Sequence, residues 1–90
     1  MNTQKERALI NLKKAQGLIS KIISMVEKDE YCIHIMQQNL AASGLLKAAH
    51  RSIMERHLST CFKSAMETKN EKRKQEMIKE ILDVTRLFNK

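Results

Sequence analysis

Cys32, His57 and Cys61 are the residues of this 90-residue chain whose types and spacing could do chemistry. Thiolate and imidazole are the soft and borderline ligands that late transition metals prefer, and two sulfurs with one nitrogen suit Cu(I). His57 and Cys61 stand four apart, so on a helix they point the same way, close enough to chelate. A tetrahedral zinc site needs four ligands, usually in close-spaced pairs, and the chain has no CxxC or HxxxH pattern. Taken singly, a free cysteine commonly packs as a small hydrophobe, and a lone helical histidine is more often structural than a ligand. His50, seven before His57, and His34, two past Cys32, are auxiliary candidates with the same structural alternative. A Cys/His nucleophile pair at His57 and Cys61 lacks an oxyanion hole, a glycine-rich loop or a sizeable pocket, so the chain is not expected to be an enzyme.

Helices must position these residues. The chain has no proline, two glycines and only 3% aromatics, which favours long helices over a sheet. Ala8, Leu12, Ala15, Ile19, Ile22 and Val26 recur at spacings of four and three and predict a first helix from near Gln4 to Lys28. Lys28-Asp29-Glu30 breaks the apolar pattern, and Asp29 is a good N-cap for a second helix. From Ile33 through Met36, Leu40, Leu46, Ile53, Leu58 and Phe62 to Ala65 an apolar face continues far beyond an ordinary helix length. Ser43-Gly44 is its weak point, but one glycine costs only about 1 kcal/mol and does not predict a hairpin. Polar residues from Thr68 to Lys74 suggest a loop and a third helix starting near Asn70 or Glu71, carried by Met77, Ile78, Ile81, Leu82 and Phe88. The expected fold is all-α: three helices, medium, long and short, in a single domain, residues 1–90. Along an unbroken second helix Cys32 and Cys61 would lie roughly 43 Å apart at about 1.5 Å per residue. Either that helix breaks, or Cys32 of one subunit meets His57 and Cys61 of another.

A net charge of +7 and a pI near 9.7 favour an acidic polymer as partner, nucleic acid or an anionic membrane surface. Arg7, Lys14, Lys21 and Lys28 fall seven apart and line one side of the first helix, with Lys13 beside them; a merely solvated face is the plainer account of such a stripe. No stretch approaches the roughly 18 apolar residues of a spanning helix, and the polar start lacks a signal peptide's apolar core, so a cytoplasmic protein is expected. Two cysteines in that compartment are more often free thiols, metal ligands or redox sensors than a disulfide. A helical chain of this size has limited burial of its own and is expected to associate with itself.

The segment Tyr31-Cys32, then His57-Leu58-x-Thr60-Cys61-Phe62, behind a basic heptad-like first helix with Gly17, resembles the CsoR/RcnR family of small all-helical bacterial repressors. The resemblance runs from about Arg7 to Phe88 and looks like the copper-sensing branch. It implies antiparallel helical dimers that pair into a homotetramer, with Cu(I) held by Cys32 of one protomer and His57 and Cys61 of its neighbour. It also implies a supporting shell of Tyr31, beside the first cysteine, and Glu80 on the third helix, whose carboxylate on the free ring nitrogen of His57 would link the metal to that helix. Nickel and cobalt sensors of the family use histidine where this chain has Cys61, formaldehyde sensors an N-terminal proline where it has Asn2, and persulfide sensors lack the histidine at 57.

The DNA face departs from the family's pattern. Asn11, Gln16 and Ala48 stand where arginine, a charged residue and a basic residue are usual. Arg7, Lys13, Lys14 and Lys21, with Lys47 and Arg51 on the second helix, are the replacements, making phosphate contacts repeated by symmetry. No helix-turn-helix pattern is present, which favours recognition of DNA shape over a base code. The resemblance therefore implies a Cu(I)-responsive repressor that binds operator double-stranded DNA as a homotetramer, one Cu(I) per intersubunit site, and controls copper-resistance genes. Two alternatives remain: a thiol- or persulfide-responsive repressor that bridges Cys32 and Cys61 between subunits, and a basic helical bundle with incidental cysteines that binds a protein partner or a membrane surface.

Overall fold

The computed structural model describes residues 3–90. All regular structure among them is helical: α1 (Gln4–Glu27), α2 (Cys32–His57), a π-helical turn (Leu58–Phe62), α3 (Lys63–Met66) and α4 (Glu71–Phe88). The expected medium, long and short helices are α1, the run from α2 through α3, and α4. The chain forms two compact units, one ending at Glu55 and the other comprising Arg56–Lys90.

α1 starts where its first residues can satisfy one another. Thr3 Oγ1 accepts from the Glu6 N–H at 3.1 Å, and the Glu6 carboxylate accepts from the Thr3 N–H at 3.3 Å, a reciprocal capping box. Its other end differs from the sequence expectation. Asp29 does not cap α2; it adopts a left-handed conformation, φ 54°, and closes α1. The Asp29 N–H donates to the Val26 carbonyl at 3.1 Å and the Glu30 N–H to the Met25 carbonyl at 3.0 Å, the paired bonds of a Schellman motif. The short acidic side chain serves here because aspartate tolerates the left-handed region better than most non-glycine residues. α2 begins only at Cys32, where the Tyr31 carbonyl accepts from the His34 and Ile35 N–H groups at 3.0 and 3.2 Å.

Residues 28–31 join α1 to the unit-one part of α2, and Leu46 of α2 lines one cavity with Leu12, Ala15 and Ile19 of α1, so the two make a helical hairpin. Its buried residues are mostly small: Ala8, Ala15 and Met25 on α1, Ala42, Ala49 and Ser52 on α2. Ala15 and Ala49 are each 1% exposed, marking where small side chains let helical backbones come close. Ser52 satisfies its hydroxyl on the Ala48 carbonyl, 3.3 Å away. The apolar seam expected for α1 is only partly covered, since Leu12, Ile19 and Val26 remain exposed, as do Met36, Leu40 and Ile53 on α2. Ser43 and Gly44 are helical, so no break occurs there.

In the second unit α3 packs on α4, and Ala65 of α3 and Met77 of α4 are buried there. The connection is stitched by side chains: the Thr68 hydroxyl donates to the Ala65 carbonyl at 2.7 Å, and Asn70 Oδ1 accepts from the Arg73 N–H at 3.1 Å as the N-cap of α4. This start matches the position expected from sequence.

Candidate metal centre and basic face

Cys32 opens α2 and is exposed, and both cysteines are free thiols. Beside it the Tyr31 ring stands edge-on to His34, centroids 5.3 Å apart, and is 65% exposed. The contact brings Tyr31 and His34 together at the start of the helix. It occupies His34 with an aromatic neighbour rather than with a polar one.

His57 and Cys61 lie in the second unit, and the backbone between them is not the plain α-helix that the sequence pattern suggests. His57 is the last residue of α2, half-buried, and Cys61 is the fourth residue of the π turn, with its thiol exposed. Side-chain hydrogen bonds gather just ahead of this turn. The Arg56 carbonyl, which in an α-helix takes the Thr60 N–H, is approached by the Thr60 hydroxyl at 2.6 Å and the Ser59 hydroxyl at 3.2 Å. Two hydroxyls on one carbonyl favour the wider turn, whose backbone bonds span five residues instead of four. In an α-helix of about 3.6 residues per turn, four residues carry the chain past a full circuit. In the wider turn they fall short of one, so Cys61 swings to the other side of the His57 row while staying on an adjacent one. Thr60 Oγ1 is also 3.7 Å from Cys61 Sγ, the hydroxyl as donor and the sulfur as acceptor. Ser59 and Thr60 are consecutive hydroxyl residues inside a helical pattern, a signal in the sequence that an apolar-periodicity reading passes over.

Glu80 lies on α4 with its Oε1 3.8 Å from Arg73 Nη1, and Arg73 also meets Glu76 at 3.7 Å. Among the described residues no carboxylate is paired with the His57 ring, and no group of three or more His, Cys, Asp or Glu side chains is gathered tightly enough to hold a metal ion. Within one protomer a thiol opens α2 in the first unit, and an imidazole and a second thiol follow in the second.

The basic residues divide sharply. The four ion pairs among the described residues all belong to α4: Arg73 with Glu76 and Glu80, Lys74 with Glu71, Arg86 with Asp83. Arg7, Lys13, Lys14 and Lys21 on α1 and Lys47 and Arg51 on α2 are exposed and in no ion pair among those residues. From Arg7 to Val26 and from Tyr31 to Met54 the sequence has no Asp or Glu, so the charged side chains within each run are all basic. Lys13 and Gln16 line a cavity of about 420 Å³ with Leu12, Ala15, Ile19, Ser20 and Leu46. Of the three positions that depart from the family's pattern, Asn11 and Ala48 are half-buried and Gln16 is exposed.

Residues 4–86 match the sequence profile of the metal-sensitive transcriptional repressors. The chain is 43% identical over 65 residues to the copper-sensing transcriptional repressor CsoR of Mycobacterium ulcerans, a match covering 71% of this chain and 56% of that relative. Its match to the CsoR of Bacillus subtilis is 30% over 87 residues, 97% of this chain and 83% of the relative. Among solved structures it resembles the Cu(I)-containing copper-sensing repressor CsoR of Geobacillus thermodenitrificans, with a TM-score of 0.79 and 29% identity over 94% of this chain and 85% of that one. The chain therefore spans little more than half the length of the mycobacterial relative it matches.

Proposed function

The chain belongs to the metal-sensitive transcriptional repressors, and from that membership we propose that it is a Cu(I)-responsive repressor, binding operator DNA as a homotetramer and releasing it on Cu(I) binding. The observation that carries the proposal is the donor set. Two free, exposed thiols and a half-buried imidazole are a soft combination that favours Cu(I) over metals preferring oxygen or four-coordinate nitrogen and sulfur sites. Relatives named as copper sensors support the same effector.

Cys32 of one subunit and His57 with Cys61 of another would hold the ion, one per intersubunit site. With the ion bound, those three side chains would be cross-linked between two chains. The chain's own residues do the rest. Tyr31 and Glu80 support the ligands from outside. For Glu80 this means leaving Arg73, an exposed pair of the kind worth only about 0–1 kcal/mol, for the free ring nitrogen of His57. The exposed large apolar residues of α1 and α2 are the surfaces that self-association would cover. Arg7, Lys13, Lys14, Lys21, Lys47 and Arg51 would meet DNA phosphates, since they lack carboxylate partners among the described residues. Effector and DNA communicate because each favours a different arrangement of the same subunits, with a coupling of about 1–3 kcal/mol typical of such switches.

The test is an anaerobic Cu(I) titration of the protein bound to labelled operator duplex. Release at one Cu(I) per subunit, lost in Cys32→Ala and His57→Ala, is the expected result. Weak Cu(I) binding, or release that survives both substitutions, overturns the copper reading.

The exposure of both thiols also favours a second reading, in which Cys32 and Cys61 of neighbouring subunits are bridged by sulfur after persulfide treatment. Intact-mass measurement of the treated protein separates the two. A covalent dimer that releases DNA in both wild type and His57→Ala supports the sulfur signal, because that chemistry does not use the imidazole.

A further inference from the structure

Thr60 and the π turn it sits in stand between the two ligand-type residues of the second unit. We propose that Thr60 is a positioning residue for Cys61: its hydroxyl holds the Arg56 carbonyl and so fixes the π turn that sets where the Cys61 thiol lies relative to His57. The proposal rests on the copper reading for its purpose, though not for its geometry.

The geometry is made of three distances and one backbone conformation. Thr60 Oγ1 lies 2.6 Å from the Arg56 carbonyl, the shortest hydrogen bond in this stretch, while Ser59 Oγ lies 3.2 Å from the same oxygen. Thr60 has one hydroxyl proton, and the shorter contact takes it. Cys61 Sγ, 3.7 Å from Thr60 Oγ1, is the weaker second acceptor of that same proton. The five residues Leu58–Phe62 form the π turn, so the hydroxyl contacts and the altered backbone coincide. One side chain thereby touches both the Arg56 carbonyl, just ahead of the turn, and the sulfur that the turn carries. A merely structural hydroxyl would satisfy the carbonyl and leave the sulfur alone.

Thr60→Val keeps the β-branched shape and removes only the hydroxyl, so backbone propensity changes little. Without the hydroxyl, the Arg56 carbonyl loses its side-chain donor at position 60 and the segment relaxes toward an α-helix. Cys61 then moves round the helix relative to His57. Thr60→Ser restores the hydroxyl without the methyl group and separates its role from packing.

The full-length, reduced, metal-free protein is treated with iodoacetamide, and alkylation of Cys32 and Cys61 is followed separately by peptide mass spectrometry. The same proteins are then titrated anaerobically with Cu(I) against a chromophoric chelator. In Thr60→Val the Cys61 rate is expected to change by about threefold or more, the scale of one hydrogen bond, while the Cys32 rate stays at its wild-type value. Cu(I) affinity is expected to fall about tenfold or more, as when a supporting partner of a metal ligand is removed. Thr60→Ser is expected to return both quantities to within about twofold of wild type. An unchanged Cys61 rate in Thr60→Val overturns the proposal whatever happens to Cu(I) affinity, and so does a Thr60→Ser protein that behaves like the valine variant. Should Thr60→Val fail to fold by circular dichroism, the serine variant decides: wild-type alkylation and Cu(I) affinity support the hydroxyl's role, and altered values overturn it. A wild-type protein that takes no Cu(I) defeats the copper reading alone, because the metal-free alkylation arm still decides the role of Thr60.

Discussion

Lys14 and Lys21 are one heptad apart on α1, both exposed and both without an acidic partner among the described residues, whereas Lys74, at the start of α4, is held 3.2 Å from Glu71. The difference predicts which lysines serve a phosphate backbone. Replacing Lys14 and Lys21 with Gln should weaken duplex binding across sequences and flatten its salt dependence by about 0.9 in log–log slope for each phosphate no longer neutralised, while Cu(I) affinity stays at its wild-type value. Replacing Lys74 should leave the slope unchanged. Fluorescence anisotropy at several salt concentrations measures both. Glu80 offers a second test of a single side chain. Its exposed pair with Arg73 is worth little, so Glu80→Gln should lower metal-free stability by no more than about 1 kcal/mol. If Glu80 turns to His57 when the metal arrives, the same variant should nonetheless require more Cu(I) to release DNA in an anaerobic titration.

Helix termini show how one residue type can serve two elements. Asp29 looks like the start of α2 because aspartate is a preferred N-cap; in the structure it ends α1 with φ 54°. Both roles suit aspartate, and a propensity argument cannot choose between them, because the choice depends on whether the carbonyls of Val26 and Met25 or the first N–H groups of α2 reach it. Glycine meets no Cβ penalty there, so Asp29→Gly should raise stability by about 0.5–1 kcal/mol, visible as a higher melting temperature. Gly17 and Gly44 are the opposite case: both are helical, and a Cβ added at either meets nothing within 4 Å in one chain. Gly44→Ala should therefore stabilise by up to about 1 kcal/mol in a free helix. A loss of stability instead, with a fall in the oligomeric mass seen by sedimentation, would place a second subunit's atoms against that position. The π turn follows the same logic. An apolar period near 3.6 announces a helix over 58–62, but one added residue in the turn is decided by two hydroxyls competing for the Arg56 carbonyl, which a hydrophobic pattern does not register.

For the molecule as a whole, the small residues inside and the large ones outside are the telling facts. Ala8, Ala15, Ala42, Ala49 and Ala65 are buried, while Leu40 is 70% exposed and Leu82 is 63% exposed. A 10.4 kDa chain that buries alanines and leaves leucines in water should be stabilised by association, so its melting temperature is expected to rise with protein concentration and its sedimentation mass to be a multiple of the monomer's. A concentration-independent melt at the monomer mass would remove the basis for a shared metal site. The all-helical class, the bounds of α1 and α4 to within a residue or two, and the three ligand-type side chains were determined by the sequence itself. Proline absence, apolar periodicity and residue chemistry are local properties of the chain. Which members of the α1 seam are covered was decided by the tertiary structure. Ala8 and Ala15 are buried while Leu12, Ile19 and Val26 are not, because burial depends on where a second helix comes closest, and periodicity specifies a helix's apolar face without saying which part of it a neighbour reaches.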